Sequence, residues 1–166
     1  SRGSLEIEPR EASAPVRELI EIASGDETYG EYYRASSPHG VLRIKSTIPM
    51  GAGLGSSAAL CVGLSWWLSG PLFIPDDEIF EFATNLENHF HGKSSGMDIA
   101  VASAREPIVY VRKKGNRGIR PLGVKRLPRF TFHDTGLRMP TRDAIALVER
   151  LRREDPEAGE NVDTQM

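Results

Sequence analysis

The chain contains the segment Pro49-Met50-Gly51-Ala52-Gly53-Leu54-Gly55-Ser56-Ser57-Ala58-Ala59. Before it, residues 41–48 alternate apolar and polar side chains, a pattern that is typical of a half-buried β-strand. After it, residues 58–68 are apolar almost all round, which suits a buried helix. This order predicts a strand that runs through closely spaced glycines into a helix that begins with two serines.

The glycine-rich loop has the features of an anion-binding site. Glycines let the backbone approach a ligand closely, and the first turn of a helix offers unpaired N–H groups and the positive end of the helix dipole. We therefore predict that the loop binds the phosphates of a nucleotide, through Gly51, Ala52, Gly53, Leu54, Gly55, Ser56 and Ser57. The alternative is a tight strand-to-helix turn with a serine cap and no ligand. The spacing fits neither a Walker A loop nor a dinucleotide-binding fingerprint.

Two segments resemble one kinase family. Residues 49–59 are similar to the phosphate-binding motif of the GHMP kinases, which include galactokinase, homoserine kinase and mevalonate kinase. The segment Glu87-Asn-His-Phe-His-Gly-Lys-Ser-Ser-Gly-Met-Asp98 resembles a segment of the mevalonate kinase branch. The resemblance runs to about Arg150 and covers only the middle of the family's length. It implies an α+β fold, the GHMP kinase N-terminal domain, which is similar to ribosomal protein S5 domain 2 and is incomplete here. The succession of helices and strand pairs also favours the α+β class.

The resemblance implies ATP and Mg²⁺ as cofactors and assigns roles to three residues. Ser57 and Glu87 match the family's Mg²⁺ ligands, and Mg²⁺ prefers oxygen ligands of this kind. Asp98 matches the catalytic base that accepts the proton of the attacking alcohol. The residues alone leave alternatives open, because Glu87 would also suit a solvated helix face and Asp98 would suit a helix N-cap. His89 and His91 stand two apart on one predicted helix, which disfavours a shared transition-metal ion.

The substrate contact and the partner of the base differ from the family's pattern. Residues 134–142 resemble a family stretch close to the mevalonate pocket, and Thr141 is our candidate for a substrate contact. Met139 stands at the usual arginine position, with Arg138 and Arg142 nearby. The family's N-terminal lysine, which pairs with the catalytic aspartate, has no match in this chain. We therefore expect the chain alone to be inactive.

Composition and charge narrow the class of protein. The chain has 166 residues, which is enough for a hydrophobic core. Its net charge of −2 gives no electrostatic reason to expect binding of nucleic acid or an anionic membrane. We find no signal peptide and no apolar run of membrane-spanning length, and we expect a cytoplasmic protein. The single cysteine, Cys61, lies in the apolar run after the loop, where we expect a buried side chain rather than a catalytic thiol.

Periodicity and turn residues predict the remaining elements. We expect a strand at Leu5–Glu8, a helix with Pro15 in its first turn and Gly25 as its stop, and a helix that begins at Pro75. Further on, the pattern predicts strands at 107–111 and 129–133 joined by an exposed connection at 113–118, and a helix from 140 to 151. We divide the chain into a partial GHMP kinase N-terminal domain, residues 1–153, and a frayed polar C-terminal tail, residues 154–166.

Two functional classes follow from these patterns. The first is an ATP-dependent small-molecule kinase resembling mevalonate kinase, present as a fragment, which transfers a phosphoryl group from MgATP to a mevalonate-like alcohol. The second is a catalytically inactive, kinase-derived scaffold or binding subunit of a larger assembly. In both cases we expect a partner chain, or the remaining part of the polypeptide, to cover an apolar face that includes Trp66 and Trp67.

Overall fold

The structure is a computed structural model that describes residues 5–31, 39–70, 74–92, 94–113, 116–124, 126–137 and 141–165. The chain divides into two compact units, residues 1–130 and residues 131–166. Each unit is described by itself. The first unit has mixed helix and strand content, as the α+β prediction requires, and it contains every predicted site residue except Thr141.

Two short parallel strands lead towards the glycine-rich loop. Strand β1 (Leu5–Glu8) pairs with β2 (Gly40–Arg43), in the register Leu5 opposite Gly40. The predicted strand at 41–48 is therefore too long, because β2 ends at Arg43. The partner strand β1 ends at Glu8, and the next residue, Pro9, has no N–H to continue the ladder of hydrogen bonds. One further bond, from the Ile44 N–H to the Glu8 carbonyl at 2.8 Å, closes the pair.

Helix α1 (Arg10–Gly25) buries one apolar face against the core. Its buried residues are Val16, Leu19, Ile20 and Ala23, and it stops at Gly25 as predicted. The predicted start was wrong, because Pro15 lies inside the helix rather than in its first turn. A proline at this position removes one intrahelical hydrogen bond, and the burial of the face that follows offsets that loss.

Three further helices form the centre of the first unit. They are α2 (Ser56–Ser69), α3 (Asp76–His91) and α4 (Met97–Ala104). Helix α2 is buried on most sides, as its continuous apolar run predicts, and Cys61 is fully buried. The polar Ser65 and Ser69 are also buried, because their hydroxyls donate to the Cys61 carbonyl at 2.8 Å and the Ser65 carbonyl at 2.6 Å. Helix α2 packs against both α3 and α4.

An antiparallel hairpin follows α4, and its second strand differs from the prediction. Strand β3 (Ile108–Lys113) was expected, but its partner is β4 (Asn116–Pro121), in the register Ile108 opposite Pro121. The predicted exposed connection at 113–118 therefore belongs largely to the strands. Residues 129–133 form no strand, although they alternate; Phe132 is 73% exposed. Alternation predicts a strand only where one face of the segment is buried, and residues 129–133 are all exposed.

The second unit consists of two helices that pack on each other. Helix α5 (Thr141–Glu154) was predicted, and α6 (Pro156–Gln165) was not. The expected frayed tail at 154–166 is wrong in this respect. The Asp155 carboxylate accepts a bond from the Ala158 N–H at 3.0 Å, and Pro156 follows it, so the segment has an N-cap and a proline suited to a first turn. The predicted boundary at 153/154 differs from the division at 130/131, and the assignment of 1–153 to one domain stays a prediction.

No helix in the described ranges is both long enough and apolar enough to cross a bilayer.

Candidate functional site

The glycine-rich loop has a backbone that only glycine adopts readily. Gly51, Gly53 and Gly55 have φ values of +70°, +72° and +71°, in the left-handed region that disfavours other residues. The loop is largely exposed, and a Cβ added to Gly53 or Gly55 would meet nothing within 4 Å. The glycines are therefore required by conformation and not by crowding within the described structure. A loop of this kind presents its backbone to solvent and to a ligand.

Helix α2 begins directly after the loop, and its first turn contains Ser57. Gly55 is the N-cap residue and makes no side-chain cap, because glycine has none. The serine cap of the ligand-free alternative is therefore absent, since both serines lie inside the helix. The half-buried Ser57 Oγ lies 3.2 Å from Nε2 of His91, within hydrogen-bonding distance. This contact joins the start of α2 to the end of α3, one turn beyond Glu87.

Glu87 is a buried carboxylate with only 2% of its surface exposed. Burial raises the pKa of the Glu87 carboxyl above its ordinary value; a hydrogen bond from the Ser94 hydroxyl and the charge of His91 oppose this rise, and the charge of Asp98 adds to it. Glu87 therefore lies close to groups from both flanking segments. The alternative of a solvated side chain is excluded, because the α3 stripe that buries Leu86 also buries Glu87.

Cys61 is a buried thiol whose pKa the charge of Glu87 also affects. Burial, and secondly the charge of Glu87, raise the pKa of the Cys61 thiol to about 12. A thiol with this pKa is almost fully protonated near neutral pH and is a poor nucleophile. The expectation of a buried, unreactive cysteine agrees with this environment.

Asp98 is exposed in the first turn of α4. The N-cap residue of this helix is Gly96, at φ +77°. The N-cap interpretation of Asp98 is therefore wrong, and its carboxylate is one of the groups nearest the positive end of the α4 dipole, where acidic side chains are favoured. Its negative charge adds to the rise in the pKa of the Glu87 carboxyl, of which burial is the largest cause. The Asp98 carboxylate itself is exposed and therefore accessible to a substrate.

Gly96 allows the turn before Asp98 to pack closely. A Cβ at this position would lie 3.2 Å from the Phe80 Cζ and 3.2 Å from the Tyr110 hydroxyl. The Tyr110 hydroxyl also donates to the Ser95 carbonyl at 2.7 Å. The turn is therefore held against α3 and β3, and the position of Asp98 is fixed by packing.

The two histidines of α3 contact different helices. His89 Nε2 lies 2.8 Å from a carboxylate oxygen of Glu18 on α1, whereas His91 contacts Ser57 on α2. Among the described side chains, no group of three His, Cys, Asp or Glu is arranged to hold a metal ion. The geometry agrees with the expectation that these histidines do not share a metal ligand sphere.

The donor set fits a cation that takes few protein ligands. A hydroxyl and a carboxylate, Ser57 and Glu87, come from two packed helices, and both are oxygen donors. Mg²⁺ in phosphate-transferring sites takes one or two such ligands and completes its octahedron with phosphate and water. A buried carboxylate whose charge is disfavoured by burial would also be stabilised by a cation.

Thr141 belongs to the second unit. Its backbone begins α5 in the second unit, and its side chain and residues 138–140 lie outside the described part of the chain. Its role as a substrate contact stays a prediction.

Two cavities border α2 in the first unit. One of about 460 Å³ lies between residues 42–48 and the helix, and its lining includes Ser56 and Trp67. A larger cavity, of about 600 Å³, lies near the other end of α2 around Trp66, which is 44% exposed, and none of the predicted site residues lines it. Cavity size therefore does not identify the candidate site; the loop and the carboxylates do.

Sequence reasoning missed the residues that organise the site. Ser94 and Asn88 were quoted only as part of a motif, yet both hold the turn between α3 and α4. His91 was assigned to the motif without a contact. The available signal was a hydroxyl residue within two positions of a glycine, which often bonds a nearby backbone N–H in a turn.

Comparisons with known proteins identify the class to which this chain belongs. Residues 19–105, more than half of the chain, match the sequence profile of the GHMP kinases N terminal domain. The chain therefore belongs to the GHMP kinase family. The matched range includes the loop, Glu87 and Asp98 and excludes Thr141.

Individual relatives are mevalonate kinases. The chain is 36% identical over 116 residues to mevalonate kinase of Thermococcus gammatolerans, covering 69% of this chain and 33% of the relative. It is 37% identical over 117 residues to mevalonate kinase of Aeropyrum pernix, covering 67% and 34%. It is 32% identical over 142 residues to mevalonate kinase erg12 of Aspergillus fumigatus, covering 74% and 26%. The chain thus spans between about a quarter and about a third of the length of these curated relatives. Comparison with solved structures gives no match.

Proposed function

We propose that this chain is part of an ATP-dependent kinase that transfers the γ-phosphoryl group of MgATP to a mevalonate-like alcohol. The observation that supports the proposal most is the contact between the start of α2, directly after the loop, and the end of α3 near Glu87. Ser57 contacts His91, one turn beyond Glu87, and the charge of Asp98 acts on Glu87. We further propose that the chain forms an incomplete domain similar to ribosomal protein S5 domain 2.

The loop and the start of α2 bind phosphate in this proposal. The positive-φ glycines expose backbone N–H groups, and the first turn of α2 adds further donors and the positive end of its dipole. The open space at Gly53 leaves room for a phosphate to approach the backbone. Hydrogen bonds from N–H groups to a charged phosphate are among the stronger ones in proteins.

The two oxygen donors hold Mg²⁺, and Asp98 acts on the substrate. Ser57 supplies a hydroxyl and Glu87 a carboxylate oxygen, and Mg²⁺ when bound would neutralise charge on the phosphate oxygens during transfer. Asp98 accepts the proton of the alcohol as the alcohol oxygen bonds to the γ-phosphorus and the bond from that phosphorus to the bridging oxygen breaks, which releases ADP. The exposed position of Asp98 lets a substrate approach it. Phosphoryl transfer requires mainly positioning and charge stabilisation, which these groups supply.

Nucleotide binding tests the proposal. We expect calorimetric titration of the chain to show binding of MgADP, and Glu87→Ala to weaken MgADP binding much more than binding of ADP in EDTA. A chain that binds neither form would contradict the kinase proposal and favour the scaffold or binding-subunit alternative. A matched control is Glu18→Ala, which removes an exposed carboxylate on α1 and should leave both affinities unchanged.

A further inference from the structure

Ser94 links the end of α3 to the start of α4 through three hydrogen bonds. Its hydroxyl donates to Oε2 of Glu87 and accepts from the Gly96 N–H at 3.0 Å. Its own N–H donates to Oδ1 of Asn88 at 2.6 Å. One side chain therefore connects the buried carboxylate to the residue that caps α4.

The first consequence concerns the orientation of Glu87. A glutamate has three rotatable side-chain bonds, and fixing them on metal binding costs conformational entropy. A hydroxyl that already holds Oε2 fixes the carboxylate before a ligand arrives, and the second oxygen of the same carboxylate is then the one that a metal ion would take. Groups that orient metal-binding carboxylates in this way increase metal affinity.

The second consequence concerns the distance between the two carboxylates. The Ser94 hydroxyl also holds the N–H of Gly96, the N-cap of α4, and Asp98 lies two residues further on. The same hydroxyl thus fixes Glu87 from one side and the start of α4 from the other. Removing it would loosen the carboxylate and the base relative to each other.

We infer that Ser94 is a positioning residue that orients Glu87 for the metal ion and sets its place relative to Asp98. This inference rests on the proposed function, because it assigns Ser94 a role in the same metal–nucleotide site. The inference concerns two groups of this chain, the Ser94 hydroxyl and the Glu87 carboxylate.

The test measures metal preference with Mn²⁺ and ADP as probes. For each variant, the affinity for MnADP is divided by the affinity for ADP in EDTA, using calorimetric titration of the full chain. We expect Ser94→Ala to lower this ratio by about 10- to 100-fold, the usual loss on removing a group that orients a metal ligand. Ser94→Thr keeps the hydroxyl and should restore most of the ratio.

Ser95→Ala is the matched control. Its hydroxyl lies in the same turn but accepts from the Met97 N–H at 3.2 Å, so we expect its ratio to equal that of the unchanged chain. Hydrogen exchange at the Gly96 amide gives a second readout, because Ser94→Ala removes the acceptor of that N–H and should accelerate its exchange.

The outcomes separate this inference from the proposed function. If the unchanged chain prefers MnADP and Ser94→Ala keeps that preference, Ser94 does not position the metal ligand, and the kinase proposal is unaffected. If Ser95→Ala lowers the ratio as much as Ser94→Ala, the effect belongs to the turn in general and the inference is wrong. If the unchanged chain binds no nucleotide, both the proposed function and the role of Ser94 are overturned.

Discussion

Replacing Gly53 by valine is expected to abolish nucleotide binding without unfolding the protein. Gly53 has a φ of +72°, and an added Cβ would meet no described atom within 4 Å. The structural cost is therefore conformational, about 1–2 kcal/mol for an L-residue in the left-handed region. For a protein of this size, each kcal/mol lowers Tm by about 2–4 °C. We expect the variant to remain folded, with Tm lower by about 2–8 °C.

The loss of affinity should be much larger than the loss of stability. A branched side chain at Gly53 would occupy the space through which a phosphate reaches the loop. A hydrogen bond to a charged group contributes about 1.5–3 kcal/mol. Loss of two such bonds would weaken binding by about 3–6 kcal/mol, which is at least about 100-fold in Kd. Calorimetric titration with MgADP measures this change.

Gly123→Val is the matched control for backbone strain. Gly123 has a φ of +70°, is exposed, and also has nothing within 4 Å of an added Cβ. We expect it to lower Tm as Gly53→Val does and to leave MgADP affinity unchanged. Unchanged affinity in Gly53→Val, or an equal loss in both variants, would refute the assignment of phosphate binding to the loop.

Four further predictions concern catalysis, packing, reactivity and pH. In any protein that contains this chain and phosphorylates mevalonate, Asp98→Asn should lower kcat by about 10²- to 10⁴-fold and leave the affinity for MgADP nearly unchanged. A coupled ADP-release assay measures the change in kcat. Turnover that survives the substitution would exclude Asp98 as the base. Gly96→Ala should destabilise the protein by about 2–5 kcal/mol in denaturant unfolding, because its Cβ would lie 3.2 Å from each of two aromatic side chains. Gly123→Ala, at φ +70° with open space, should cost only about 1–2 kcal/mol; equal costs would contradict the packing. Cys61, whose thiol has a pKa raised to about 12, should react with iodoacetamide at pH 8 only when denaturant unfolds the chain, and rapid labelling of the folded protein would be inconsistent with its burial. Burial raises the pKa of Glu87, so the stability that this carboxyl contributes below its unfolded-state pKa of about 4.3 is lost as pH rises through the higher folded-state pKa. Without metal, the Glu87→Gln variant should therefore gain stability relative to the unchanged chain as pH rises from about 4 to 7. A difference in stability that is constant with pH would count against a buried Glu87.

The sequence predicted the features that are encoded locally. The order of strand, glycines and apolar helix around residues 49–68 was sufficient to predict the loop and α2, because glycine conformation and helical periodicity depend on neighbouring residues. The burial of Cys61 followed from the same apolar run. Family motifs added Glu87 and Asp98 as candidates; the first is buried and the second exposed, and their roles stay predictions.

Features that depend on distant contacts or on turn geometry could not be predicted in the same way. Strand β2 is shorter than its alternation indicates because its partner, β1, ends at Glu8, directly before Pro9. Residues 129–133 alternate but are all exposed and form no strand, whereas β4 is largely polar and is defined by its pairing with β3. The Ser94 hydroxyl reaches Glu87 across a turn, and that contact requires three-dimensional geometry. The helix after Asp155 was not predicted, because the polar and acidic composition of residues 154–166 indicated a frayed tail and the N-cap role of Asp155 was overlooked.

The most direct test of the metal–nucleotide site is paramagnetic NMR of the chain with Mn²⁺ and ADP. Mn²⁺ broadens resonances of nearby nuclei, so the affected amides locate the bound ion. We expect MnADP to broaden the amides of residues 51–57, Glu87 and Asp98, and excess MgADP to reverse the effect, while amides at the start of α3, about 16 Å along the helix from Glu87, are broadened much less. Broadening centred on any other part of the chain, or no broadening at saturating MnADP, would contradict a nucleotide site formed by the glycine-rich loop, Ser57 and Glu87.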